Sequence, residues 1–267
     1  MRKLTAMLLA VVMCVACLAA CGSSDGASSS NAADTSVAAT GEADDNVLVV
    51  GTNAAFPPFE YVGDDGQPDG FDIALIKAIG EKLGVEVEVQ DMEFDSLVMA
   101  IGTKIDAAIA GMTIDEDRLR VVDFSDPYYD AVQYVIIPEG SDIAAAADLE
   151  NKTIGVQLGT TGNYTADEIE GATVQTYNKG VDAVTDLLNG RLDAVIIDKN
   201  PALVFVEKYA EDLEALDGAQ FEFETEQYAI ALPKGSELVE KVNQALTELK
   251  EDGTFDDLVA KYIEGEE

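Results

Sequence analysis

The chain is organised around the stretch Ala107-Ala108-Ile109-Ala110-Gly111-Met112-Thr113-Ile114-Asp115-Glu116-Asp117-Arg118, where an apolar run leads into a turn and then into polar residues. The run from Ile105 to Ala110 predicts a buried strand. The residues Thr113 to Glu116 fit a capping box, which predicts a helix whose free backbone N–H groups begin at Thr113. Such a helix start favours an anion, and Arg118 follows about one turn later. The alternative is that Thr113 only caps the helix while Arg118 pairs with a neighbouring acid at the surface.

A similar pattern recurs later in the chain. The segment 104–111 aligns with 191–198, and each follows a short amphipathic helical pattern. The apolar run 47–50 with the loop behind it likewise resembles 152–162. This repetition predicts two similar α/β lobes with parallel strands. Chance similarity between common α/β sequences is the alternative.

Four loops are predicted to meet if the two lobes face each other by the carboxyl ends of their strands, where ligands of open α/β sheets bind. These loops are 53–60, 111–118, 157–162 and 198–201.

The chemistry expected at this junction is that of a clamp for an α-amino acid. Asp198 follows a buried strand, where a carboxylate is unfavourable unless it faces a cleft or a cation. It could therefore bind an ammonium group while Arg118 binds a carboxylate, although it could equally cap the helix after Pro201. Phe56 and Phe94 could sandwich a ligand side chain or belong to the core. The polar candidates for the rest of the ligand are Asn53, Glu60 and Gln157.

The composition excludes several classes of function. Among 267 residues, 16 Lys and Arg stand against 52 Asp and Glu, a formal charge of -36 that repels nucleic acid and anionic lipids. Histidine is absent, so Ser-His and Cys-His nucleophile systems and histidine metal sites are excluded. We expect no metal, no cofactor and no enzymatic activity.

The N-terminus is typical of a secretion signal, predicted over residues 1–20. Arg2 and Lys3 precede a short apolar run, and the string Leu18-Ala19-Ala20-Cys21 resembles a bacterial lipobox, in which Cys21 becomes the lipidated first residue. A signal without lipidation is the alternative. Residues 21–46 have the composition of a flexible tether. The folded part is thus expected on the extracytoplasmic face of the cell membrane, held by a lipid anchor.

Several motifs together resemble the polar amino-acid branch of bacterial solute-binding proteins, family 3, of ABC importers. They are the segments 51–60, 70–72, 110–118, 123–129 and 159–162. The resemblance implies an α/β, two-lobed periplasmic-binding-protein-like fold of type II with two hinge crossings, near 129–134 and 224–228. Lobe 1 would comprise 47–130 plus 228–267, and lobe 2 would comprise 131–227. The implied protein is a monomer that closes around a free amino acid and delivers it to an ABC permease.

The resemblance also implies roles for individual residues. Arg118 and the backbone amides of Thr113 and Thr161 would hold the α-carboxylate, whereas Asp198, the Gly111 carbonyl and the Thr113 hydroxyl would hold the α-ammonium. The complete predicted site is Asn53, Phe56, Phe94, Ala110, Gly111, Met112, Thr113, Arg118, Gln157, Thr160, Thr161 and Asp198.

Asn53 departs from the pattern, because many relatives that bind basic amino acids have an acid there. An amide lacks the charge that would pair with a cationic side chain, although Glu60 could supply it. The expected ligand is a polar amino acid such as glutamine, with arginine or cystine as alternatives. Two other functions remain open, a dehydratase acting on cyclohexadienyl acids and a sensor or adhesin module.

Overall fold

The structure is a computed structural model that describes residues 46–265. Its strands are β1 (Val47–Thr52), β2 (Ala55–Phe56), β3 (Glu60–Val62), β4 (Pro68–Asp69), β5 (Glu86–Asp91), β6 (Ala107–Ala108), β7 (Val122–Phe124), β8 (Tyr129–Pro138), β9 (Thr153–Gln157), β10 (Thr173–Tyr177), β11 (Ala194–Asp198), β12 (Leu213–Leu216), β13 (Thr225–Tyr228) and β14 (Ala231–Pro233). Its α-helices are α1 (Phe71–Leu83), α2 (Phe94–Ala100), α3 (Glu116–Leu119), α4 (Thr161–Asp167), α5 (Gly180–Leu188), α6 (Lys199–Lys208), α7 (Leu238–Glu251) and α8 (Thr254–Val259). Short 3-10 helices span Ala146–Leu149 and Gly218–Phe221, and a π-helical segment spans Ala260–Gly265.

Two sheets repeat one strand arrangement. In the first sheet, ordered β5-β1-β6-β14-β7, the leading strand β1 lies in parallel between β5 and β6. In the second, ordered β10-β9-β11-β8-β12, the leading strand β9 lies in parallel between β10 and β11. The predicted repeat is therefore real, because β6 and β11 take equivalent places and both end at the carboxyl edge of their sheet. The strands β2, β3 and β4 form a separate small sheet.

Two antiparallel strands connect the sheets. The first half of β8 pairs with β13, from Tyr129 opposite Tyr228 to Val132 opposite Thr225. The second half of β8, from Gln133 onward, pairs with β11 and β12 in the second sheet. After β13, the chain returns to the first sheet as β14. The two predicted hinge crossings are thus confirmed as β8 and β13, whereas the exact lobe boundaries stay a prediction.

An aromatic cluster holds these crossing strands against the first sheet. The fully buried ring of Phe59 has its centroid 4.9 Å from that of Tyr129 and 5.2 Å from that of Tyr228, both in edge-to-face contact. Such pairs add stabilisation beyond the area they bury. The loop after β1 is therefore packed directly on both crossings.

The N-terminal predictions cannot be compared with the fold. The signal segment, Cys21 and the tether up to residue 45 lie outside the described residues. Within 46–265, no helix is both long and apolar enough to cross a membrane.

Candidate functional site

The loops after β1, β6, β9 and β11 line one small cavity together with the start of α2. The lining residues are Asn53, Phe56, Glu60, Phe94, Ala110, Gly111, Thr113, Arg118, Gln157, Thr160, Thr161 and Asp198. Every residue predicted for the site is among them except Met112. The Met112 side chain is fully buried in the apolar core beside α2, and its carbonyl accepts a hydrogen bond from Ala229.

The helix that carries Arg118 begins later than its sequence predicts. Asp115, not Thr113, is the residue that caps α3, and its Oδ1 accepts a 2.8 Å hydrogen bond from the Arg118 backbone N–H. Thr113 does not begin the helix because its backbone lies extended in a bridge with Tyr228, and its hydroxyl donates to Glu226 at 2.6 Å. The prediction of a helix start at Thr113 was therefore wrong.

Arg118 is buried and held by three acceptors. Its Nε pairs with Asp115 Oδ2 at 2.9 Å, Nη1 donates to the Thr113 carbonyl at 2.6 Å, and Nη2 donates to the Gly159 carbonyl at 2.9 Å. The guanidinium carbon lies 5.4 Å from the centroid of the Phe94 ring. Because a guanidinium has five N–H donors, each terminal nitrogen keeps one N–H for a further acceptor. Arg118 therefore pairs with the neighbouring Asp115, as the surface alternative expects, but it is buried and lines the cavity rather than lying at the surface.

Asp198 ends β11 on another wall of the same cavity. It stands at the N-terminus of α6, yet its side chain makes no capping hydrogen bond there. Instead, the Tyr228 hydroxyl donates to Asp198 Oδ1 at 2.6 Å. Burial raises the pKa of Asp198 to about 7, and the charge of Glu226 contributes to this increase. A cation in the cavity would stabilise the ionised carboxylate.

A second acid, Glu60, forms part of the cavity wall. It is fully buried, and no donor among residues 46–265 reaches either of its carboxyl oxygens. Burial raises its pKa well above the usual value, and the neighbouring carboxyl of Asp72 raises it further. Asp72 itself is held by the Gly111 N–H and the Tyr128 hydroxyl, both at 2.8 Å from its Oδ2. Asp72 Oδ1 also lacks a hydrogen-bond partner among residues 46–265, but Glu60 lines the cavity and Asp72 does not, so Glu60 is the acid placed to meet a ligand.

The two amides of the cavity differ in what they can offer a ligand, because Gln157 donates two hydrogen bonds within the protein and Asn53 donates one. Gln157 uses its Nε2 to donate to Asn53 Oδ1 at 2.9 Å and to the Asn178 carbonyl at 3.2 Å. Asn53 Nδ2 donates to the Met92 carbonyl at 2.7 Å. Because an amide nitrogen has two N–H groups, Gln157 offers a ligand its Oε1 alone. Gln157 therefore suits a ligand group that donates hydrogen bonds, whereas Asn53 keeps one N–H that can donate to a ligand.

Phe56 limits the space beside Gly111. Gly111 has a φ of +52°, and a Cβ placed on it would lie 2.8 Å from the Phe56 ring. Only glycine combines this backbone conformation with such a close approach. The ring of Phe56 therefore packs directly over the backbone of the loop after β6.

Glu226 and Tyr228 contribute to the site although sequence reasoning did not select them. Both lie on β13, and they contact Thr113, Thr161 and Asp198 through their side chains. The sequence offered one indication of their role, namely that both lie on a predicted crossing between the lobes. Their contacts could not be predicted, because they join residues far apart in the chain. No cluster of residues suited to hold a metal ion occurs in the described part of the chain.

Comparison with known proteins gives a consistent result. Residues 48–265 match the family of bacterial extracellular solute-binding proteins, family 3. The arginine-binding extracellular protein ArtP of Bacillus subtilis is 36% identical over 265 residues, covering 97% of this chain and 98% of that protein. The L-cystine-binding protein TcyJ of Escherichia coli K12 is 34% identical over 223 residues, covering 81% of this chain and 82% of that protein.

A solved structure extends the comparison to the fold. An ancestral arginine-binding protein bound to glutamine is 42% identical, covers 83% of this chain and 99% of its own, and superposes with a TM-score of 0.77. The chain therefore belongs to family 3 of the bacterial extracellular solute-binding proteins and has their two-lobed, type II fold. The relatives named here are described as amino-acid-binding proteins.

Proposed function

We propose that this protein captures a free L-amino acid between its two lobes and presents it to the permease of an ABC importer. The observation that best supports this proposal is that each terminal nitrogen of Arg118 keeps one unused N–H group, while Asp198 lines another wall of the same cavity. A carboxylate accepts two parallel hydrogen bonds from a guanidinium, and an ammonium group pairs with a buried carboxylate. One zwitterion satisfies both side chains at once.

We infer that arginine is the preferred ligand, with glutamine bound more weakly. Glu60 supports arginine, because its buried carboxyl has no donor among the described residues and a guanidinium would supply both charge and N–H groups. The free acceptor of Gln157 also suits N–H donors. Glutamine can donate to the same acceptors but supplies no positive charge to stabilise the ionised form of Glu60, whose pKa is raised by burial, and a related ancestral protein was solved with glutamine bound.

Binding is proposed to close the hinge formed by β8 and β13. Arg118 lies in the predicted lobe 1 (47–130 plus 228–267), whereas Asp198 lies in the predicted lobe 2 (131–227). A ligand held by both contacts the closed form more extensively than the open form and so shifts the population toward closure. The permease would recognise that closed form.

Isothermal titration of residues 46–267 against a panel of amino acids tests the proposal. The panel contains arginine, lysine, histidine, glutamine, cystine and glutamate. We expect arginine to bind most tightly, glutamine more weakly and glutamate not at all, because a second carboxylate would face Glu60. A protein that binds no amino acid would refute the function.

Anchoring through Cys21 is part of the same proposal. Lipidation of the exported chain at Cys21 would hold the domain at the extracytoplasmic face of the membrane, near the permease. Labelling of the expressing cells with radioactive palmitate should mark the wild-type protein and should be lost in Cys21→Ala. The Cys17→Ala variant serves as control, and equal labelling of all three proteins would contradict the assignment.

A further inference from the structure

One carboxylate oxygen of Glu226 accepts hydrogen bonds from two residues that line the cavity. Glu226 Oε2 accepts a 2.6 Å hydrogen bond from the Thr113 hydroxyl and a 2.7 Å hydrogen bond from the Thr161 hydroxyl. Thr113 follows β6 of the first sheet, Thr161 begins α4 behind β9 of the second, and Glu226 lies on the crossing strand β13. Both bonds can form together only when the two loops converge on that oxygen.

Glu226 does not itself line the ligand cavity. It borders a separate groove, which it shares with Thr113, Thr161 and Gln133, whereas only the two threonines also line the cavity. The threonines therefore form the partition between the cavity and the groove, and Glu226 lies on the far side of it.

The direction of these hydrogen bonds determines what Thr113 can offer a ligand. A hydroxyl has a single hydrogen, and Thr113 donates it to Glu226. The cavity side of Thr113 Oγ1 is then left with lone pairs only, which accept from an ammonium group and repel a carboxylate. The hydroxyl of Thr161 is engaged similarly, since it also accepts from Gln133 Nε2 at 3.2 Å.

We propose that Glu226 is a positioning residue for ligand binding, which orients the Thr113 hydroxyl as an ammonium acceptor and fastens the two loops in the closed arrangement. The inference rests on the proposed amino-acid function and adds to it the origin of amine selectivity. Glu226 acts without touching the ligand, because Thr113 stands between them.

A double-mutant cycle tests this role with isothermal titration of arginine and glutamine. The variants are Glu226→Gln, Thr113→Val and the double variant, with thermal unfolding to verify that each is folded. Glu226→Gln should weaken amino-acid binding by about tenfold or more, and most of that loss should disappear in the Thr113→Val background. Thr113→Ser, which keeps the hydroxyl, should restore the sensitivity to Glu226→Gln.

Two controls separate this role from general effects. Glu224→Gln removes the same charge from an exposed position two residues earlier and should leave affinity unchanged within about twofold. The desamino analogue of the ligand should lose much less affinity than the amino acid itself in Glu226→Gln, because it presents no ammonium to Thr113.

The outcomes are distinguishable. Additive effects in the cycle, or a Glu226→Gln protein that binds like Glu224→Gln, would overturn the proposal while leaving the amino-acid function intact. A wild-type protein that binds no amino acid would overturn both. If Glu226→Gln does not fold, Glu226→Asp takes its place in the cycle, since it keeps the charge but withdraws the oxygen from the hydroxyls.

Discussion

The Tyr228 hydroxyl donates a 2.6 Å hydrogen bond to Asp198 Oδ1, and both side chains are buried. Tyr228 is the last residue of the crossing strand β13, whereas Asp198 is the last residue of β11 in the second sheet. The bond therefore ties the hinge to the acid that would receive the ligand ammonium. A change in the charge or position of Asp198 would therefore alter a contact made by the crossing strand β13.

Amino-acid affinity should fall as the pH is lowered through neutrality. Burial raises the pKa of Asp198 to about 7, so the free protein is increasingly protonated there below that pH. The ligand ammonium pairs only with the ionised form, and binding must then release a proton. We expect the dissociation constant for glutamine to rise by about tenfold from pH 8 to pH 6, measured by isothermal titration.

The variant Asp198→Asn checks the origin of this dependence. This variant should bind glutamine more weakly at every pH. Its dissociation constant should also change much less between pH 8 and pH 6, because the titrating carboxyl is gone. Asp182→Asn, at an exposed position of α5, should retain the wild-type profile. A wild-type affinity that is flat between pH 8 and pH 6 would contradict the pairing of Asp198 with the ammonium.

Loss of the Arg118 guanidinium should remove most of the affinity for any amino acid. Arg118→Ala leaves the ligand carboxylate without its two charge-assisted hydrogen bonds, and we expect a loss of about 100-fold or more in titrations. The matched control is Arg120→Ala, because Arg120 is exposed and pairs with the exposed Asp117 at 2.7 Å. Equal affinities of the two variants would refute the assignment of Arg118.

Glu60 should set the preference between arginine and glutamine. Glu60→Gln removes the buried charge and keeps the shape, so arginine affinity should fall by about tenfold or more while glutamine affinity is kept or improved. The ratio of the two dissociation constants, measured on one preparation, is the informative quantity. Asp64→Asn removes a charge from an exposed turn and should leave the ratio unchanged. If the ratio of the two dissociation constants is the same in Glu60→Gln as in the wild type, residues other than Glu60 recognise the arginine side chain.

A methyl group on Gly111 should impair binding beyond its effect on the backbone. Gly111→Ala places a Cβ 2.8 Å from the Phe56 ring in addition to straining a φ of +52°. Gly140→Ala is the matched control, since Gly140 has a φ of +78° with no atom within 4 Å of the added Cβ. Both variants should lose about 1–2 kcal/mol of unfolding free energy from the backbone alone. Only Gly111→Ala should also lose affinity, by about tenfold or more, because Phe56 is displaced.

The sequence was sufficient to predict the repeated strand arrangement and the loops that meet at the cavity. Strand ends are local features, recognisable where an apolar run stops, and parallel α/β topology brings those ends to one edge. Asp198 was selected as a candidate from its place at the end of a buried strand, and Arg118 from its place one turn after the predicted start of the helix that follows another.

Other features were decided by the tertiary structure alone. The shared contact of Thr113 and Thr161 with Glu226 joins residues separated by 113 and 65 positions, so no local pattern encodes it. The helix cap lies at Asp115 rather than Thr113 because the backbone of Thr113 is extended in a bridge with Tyr228, which is also distant in the chain. The burial of Glu60 without a donor, which points to a cationic ligand, likewise depends on the packing of segments distant in the chain. Strand order therefore followed from local periodicity, whereas the polarity of the site depended on which distant groups meet in its buried interior.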